Sequence, residues 1–78
     1  MSDLARLRWK CRRGMKELDL LLEGYLDSRY AGASPEEQGA FQALLDMQDP
    51  ELFDYVIGRQ QPATEEQRRV VHALRRTP

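Results

Sequence analysis

Few residues in this sequence could make or break bonds, and their spacing keeps them apart. Cys11 is the one cysteine and His72 the one histidine. A zinc or iron centre needs several converging thiolate or imidazole ligands, commonly in close pairs, so no metal site is expected. A nucleophilic cysteine needs a positioned base. Cys11 falls instead on the apolar stripe of a first helix and reads as a buried, inert thiol. His72 reads as a surface residue of the last helix. Glu36-Glu37 and Glu65-Glu66 are paired carboxylates, the residue type of general acid–base chemistry. Both pairs fall in the first turn of a helix, where acids complement the dipole. "RRGMKE" (residues 12–17) and "GRQQPA" (residues 58–63) lack the spacing of either nucleotide-binding fingerprint. The expectation is no catalytic residue, no stably bound cofactor and no enzyme.

The elements that would position any site are helical throughout. Apolar residues recur with a helical period, and strand alternation is absent. A first helix is expected from about Asp3 to Arg13, with Leu4, Leu7 and Cys11 on its apolar face. Arg6, Lys10 and Arg13 group on the far side with Trp9 beside them. A second helix, about Met15 to Arg29, carries the stripe Met15, Leu18, Leu21, Leu22, Tyr25 and Leu26. Ser34 then reads as an N-cap, Pro35 as the first helical residue and Glu37 as the partner in a capping box. Phe41, Leu44 and Leu45 face inward from that third helix. Asp49 reads as the cap of a fourth, with Pro50 first, Leu52, Phe53, Val56 and Ile57 apolar, and Gly58 as the stop. Thr64 and Gln67 open a fifth helix through Val70, Val71 and Leu74. The expected fold class is all-α: a small single-domain bundle of about five short helices spanning 1–78.

The composition is that of an ordinary soluble chain, 41% hydrophobic and 32% charged over 78 residues. It excludes collagen, disorder and disulfide scaffolds. A lone cysteine fits a reducing compartment. No apolar run approaches the roughly 20 residues a membrane span needs. The basic N-terminus has the look of a mitochondrial transit peptide, but the small core needs the helix it would form. Charge is arranged in blocks. Residues 1–16 carry six cations against Asp3, residues 17–67 carry twelve acids against Arg29 and Arg59, and residues 68–78 carry four arginines. Such blocks predict a polarised surface. Nucleic acid is not the expected partner. The helix that would enter a groove is acidic and leucine-rich, and counterion release rewards a broad basic footprint.

A protein-binding surface remains, and the corner "RRGMKELD" (residues 12–19) is where it is expected. Gly14 can take positive φ and stop the first helix. Without a side chain it leaves backbone that a partner could approach. Arg13 offers a two-pronged donor, and Glu17 suits the first turn of the second helix. An Arg13–Glu17 ion pair would complete a corner that needs no function. Arg and Trp are common interface anchors; Trp9 could serve as one, or could pack on another helix.

"WKCRRGMKELD" resembles the signature of the succinate dehydrogenase assembly factors that promote flavin attachment, small five-helix proteins with an Arg-Gly-x-x-Glu motif. Arg13, Gly14 and Glu17 match it residue by residue. "DPELFDYV" (residues 49–56) and Pro62 also fit, with Tyr55 where many members have Trp. The resemblance implies a chaperone-like factor that binds the flavoprotein subunit of succinate dehydrogenase, and in some bacteria that of fumarate reductase. It would favour the covalent bond between a client histidine and FAD. The flavin and the chemistry would belong to the client, and the factor would select an attachment-competent client conformation. By carry-over, Arg13, Gly14 and Glu17 form the client-binding surface, with Arg6, Arg8, Trp9 and Arg12 as neighbours. The basic terminus would steer it toward an acidic or phosphate-bearing surface. A monomer in the bacterial cytoplasm, without membrane insertion, is implied. Some bacterial members are described as antitoxins, which gives the alternative: a regulatory protein-binding half of a toxin–antitoxin pair.

Overall fold

Caps and prolines cut the chain into helices largely where their chemistry requires. The computed structural model describes residues 3–76, so both ends of the expected 1–78 domain lie outside the described residues. Its order is α1 (Asp3–Lys10), α2 (Lys16–Ser28), a 3-10 turn (Tyr30–Gly32), α3 (Pro35–Leu45), α4 (Asp49–Ile57) and α5 (Glu65–Arg75). No strand occurs among the described residues, so the fold is all-α. The Ser34 hydroxyl accepts from the Glu37 amide at 3.2 Å, and Thr64 accepts from Gln67 at 3.1 Å. Each satisfies one of the first-turn amides that a helix leaves unpaired. Gly58 ends α4 at φ +87, the left-handed conformation that costs a glycine little.

Two boundaries differ from expectation. α1 stops at Lys10, a turn before Arg13, and Gly14 lies in the connection rather than at the helix end. The cause is competition for the chain beyond Cys11. The Arg13 amide is taken by the Asp19 carboxylate at 2.8 Å and cannot continue the helix. Asp49 does not cap α4. Gln48 holds the cap position without a side-chain bond, and Asp49 is the first helical residue. Its carboxylate is engaged by Arg13 instead, at 3.1 Å.

The core joins all five helices. Leu18, Leu22, Tyr25, Phe41, Leu44, Leu52, Val70 and Leu74 are essentially inaccessible. Each such aliphatic or phenyl side chain contributes about 1.5–3 kcal/mol by leaving water. The Tyr25 and Phe41 rings stack at 4.6 Å, and Tyr30 leans on Phe41 at 5.5 Å. α5 packs on α2, α3 and α4, while α1 lies across α2 and α3. α1 contributes Leu7 to this core and the turn after it contributes Cys11, but Leu4 is left exposed. Ile57 also points outward, against its expected core role, at the last position of α4.

Candidate functional site

The corner between α1 and α2 is held by its own side chains. The Asp19 carboxylate accepts from the Arg13 amide at 2.8 Å and the Gly14 amide at 3.2 Å. Gly14 stands at φ +87, and a Cβ built there would meet nothing within 4 Å. Its backbone is therefore open on the side a side chain would occupy, while its N–H is turned inward and used.

Arg13 does not offer its fork to solvent. Its side chain is only 13% exposed. One guanidinium nitrogen donates to the Met47 carbonyl at 2.8 Å and to Asp49 Oδ1 at 3.1 Å. The other donates to the Leu45 carbonyl. Those carbonyls lie at the end of α3 and in the α3–α4 connection, where helix-end oxygens need donors. The expected Arg13–Glu17 ion pair is therefore absent, because Asp49 and two carbonyls take the guanidinium. Glu17 is exposed and has no ion pair or hydrogen bond to its carboxylate among the described residues.

The neighbouring residues divide between faces. Arg8, Trp9 and Arg12 line a shallow hollow with Leu4 and Ala5. Trp9, Arg12 and Arg13 line a second with Leu45, Asp46 and Met47. Trp9 stands between the two and is 73% exposed, so it is not packed within the bundle. Arg6 belongs to another face, beside Lys10, Tyr30, Gln38 and Gln42. Leu4 and Met47 share hollows with Trp9 and were not among the residues expected to bind a partner. Leu4 carried the apolar period but lies a turn beyond Leu7, at the outer end of α1. For Met47, in the α3–α4 connection, no local pattern signals proximity to Trp9.

Four of the six cations in the basic block are paired with acids from later in the chain, and among the described residues Arg6 and Lys16 are not. Arg8 pairs with Asp27, Lys10 with Asp46 at 3.1 Å, Arg12 with Glu23 at 3.8 Å and Arg13 with Asp49. Acids of the middle of the chain thus fold onto the basic N-terminus and offset part of the polarity that the charge blocks predict. The hydrogen bond between Arg8 and Asp27 holds the Asp27 carboxyl below its ordinary range and raises the Arg8 guanidinium. Cys11 is fully buried, and burial pushes its thiol up to about 11. A thiol in that state is a poor nucleophile at neutral pH. Among the described residues no group of three His, Cys, Asp or Glu is placed to hold a metal ion. No helix there is long and apolar enough to cross a membrane.

The family described as the flavinator of succinate dehydrogenase, Sdh5, matches residues 5–78. The chain belongs to the Sdh5 family. A relative from Coxiella burnetii named FAD assembly factor SdhE is 38% identical over 69 residues, covering 88% of this chain and 84% of that protein. A protein of the same name from Idiomarina loihiensis is 44% identical over 66 residues, covering 85% of this chain and 73% of that one. Another, from Shewanella oneidensis, is 43% identical over 60 residues, covering 77% and 73%. These three Sdh5-family relatives carry assembly-factor names, and none carries an antitoxin's.

Proposed function

We propose that this chain is an assembly factor that binds the flavoprotein subunit of succinate dehydrogenase and promotes covalent attachment of FAD to it. The observation that carries this reading is the family match over residues 5–78, which spans the corner, most of α1 and all the later helices. Relatives named FAD assembly factor agree with it.

The geometry suggests how the work is divided. Arg13 and Asp19 act inward and fix the shape of the corner. Gly14 and Glu17 act outward, as an open stretch of backbone and an unpaired carboxylate. Trp9 adds an exposed aromatic face flanked by Arg8 and Arg12, the residue types that carry most interface energy. A surface already rigid loses little conformational freedom when a partner docks. Arg6, on another face, lies at the margin of this arrangement. The factor would favour a client conformation in which histidine and flavin meet. The flavin stays with the client, and the bond is made by client and flavin rather than by a catalytic group of this chain. The proposal extends to the flavoprotein of fumarate reductase as a second client, and to a monomer acting in the bacterial cytoplasm without entering the membrane.

Pull-down of the tagged chain from its own cells, followed by in-gel fluorescence of the captured protein, tests the reading. The flavoprotein subunit should be captured, and its covalent flavin should be lost in cells lacking this chain. Full covalent flavin in those cells would refute the proposal.

A further inference from the structure

Two arginines of α5, Arg68 and Arg75, meet at a hollow that is separate from the α1–α2 corner. Arg68, His72 and Arg75, with Gly58, Gln60 and Gln61, line an open hollow of about 230 Å³ between the end of α4, the following connection and α5. Among the described residues no acid lines it. It shares no lining residue with the hollows around Trp9.

Both arginines are anchored along one edge. Arg75 Nε donates to the Val56 carbonyl at 2.7 Å, and its outer nitrogen occupies the space a Cβ on Gly58 would need. Arg68 Nε donates to the Pro62 carbonyl at 3.0 Å, with a longer contact from Nη2 to the Ala63 carbonyl at 3.4 Å. Neither guanidinium has a carboxylate within ion-pair distance among the described residues, whereas Arg69 on the same helix pairs with Glu65 at 3.7 Å. An arginine fixed through Nε is pre-organised to present its remaining N–H groups. The last carbonyls of α4 would repel an anion, and Arg75 covers one of them.

Size selects the ligand. The hollow is smaller than the roughly 300–1,000 Å³ typical of sites for drug-sized molecules. It suits one oxyanion, not a nucleotide or a flavin. We propose that this hollow is an oxyanion-binding site, in which Arg68 and Arg75 donate from their outer guanidinium nitrogens and Gln60 and Gln61 from their side-chain amides. Charge-assisted bonds of this type are the strong ones, and two cations without a balancing acid concentrate anions locally. The oxyanion has two possible sources, a free phosphate and the carboxylate of a protein side chain. Because the hollow lies apart from the corner, the proposal is independent of the flavin-attachment reading.

Titration of the full chain with sodium phosphate, and separately with sodium acetate, at constant ionic strength tests it by nuclear magnetic resonance. The amides of Gly58, Gln60 and Gln61 and the Nε–H signals of Arg68 and Arg75 should shift and saturate, with chloride as the control. Tighter phosphate binding points to a free phosphate; tighter acetate binding points to a carboxylate, the group a protein side chain would present. Arg68→Gln should weaken binding by about tenfold or more, the value of one charge-assisted hydrogen bond. Arg75→Lys keeps the charge but loses the fork and should weaken it as well, with the remaining spectrum reporting an intact fold. Shifts that never saturate with either anion, or an Arg68→Gln variant that titrates like the wild type, would overturn the proposal.

Discussion

Arg13→Ala should damage the fold far more than a change at an exposed helix-end arginine. The side chain makes three charge-assisted hydrogen bonds, to Leu45, Met47 and Asp49. Each is worth about 1.5–3 kcal/mol when the groups are desolvated. Two features lower the total. The Asp49 side chain is 36% exposed and can be hydrated once its partner is gone. Arg13 Nε is buried without a partner among the described residues, so its removal relieves a cost. A net loss of about 3 kcal/mol remains, at the lower end of what removing one partner of a buried ion pair costs. A chain of this length has roughly 4–12 kcal/mol in all, scaling from the usual stability per residue. The melting temperature should then fall by about 12–24 °C. Circular dichroism melts and urea titrations of the purified variant measure both quantities. Glu17→Ala is the control and should stay within about 0.5 kcal/mol of wild type. An Arg13→Ala melting temperature within about 4 °C of wild type would refute the bracing role.

Three further outcomes follow from the same geometry. Gly14 and Gly58 share φ +87, yet Gly14→Ala should cost only the left-handed strain of about 1–2 kcal/mol, whereas Gly58→Ala must also displace the Arg75 guanidinium and should unfold at lower urea. Cys11, with its thiol pushed up to about 11 by burial, should resist alkylation of the native chain near pH 8, with about a hundredfold less thiolate than an ordinary cysteine before the shielding of the sulfur from the reagent is counted, and react at once in urea. Asp27 titrates below its ordinary range in the folded state because of Arg8, so its contribution is complete above that range and is lost as pH falls below about 4; the melting temperature should drop less over that interval in Asp27→Asn than in wild type, and equal drops would contradict the link.

The helices were legible in the sequence because local chemistry sets them. Ser34, Thr64 and Gly58 act on amides and carbonyls a few residues away, and all three do what their types imply. The site was legible only as a motif. What Arg13 does depends on Leu45, Met47 and Asp49, more than thirty residues on, and no periodicity reports such a distance. The charge blocks were only partly informative for the same reason. They describe the order of the chain, whereas Arg8–Asp27 and Lys10–Asp46 are properties of how it folds back. Leu4 shows the limit of a helical period, which gives the direction of a side chain but not whether another helix lies there.

The central claim is that Arg13 holds the corner while Glu17 and Gly14 touch the client. Covalent flavin on the flavoprotein subunit, read by in-gel fluorescence in cells whose own copy is replaced by Glu17→Gln, tests it most directly. The account predicts a factor with wild-type melting temperature and a subunit with little or no covalent flavin. Full flavin on the subunit, with a folded Glu17→Gln factor present, would contradict it.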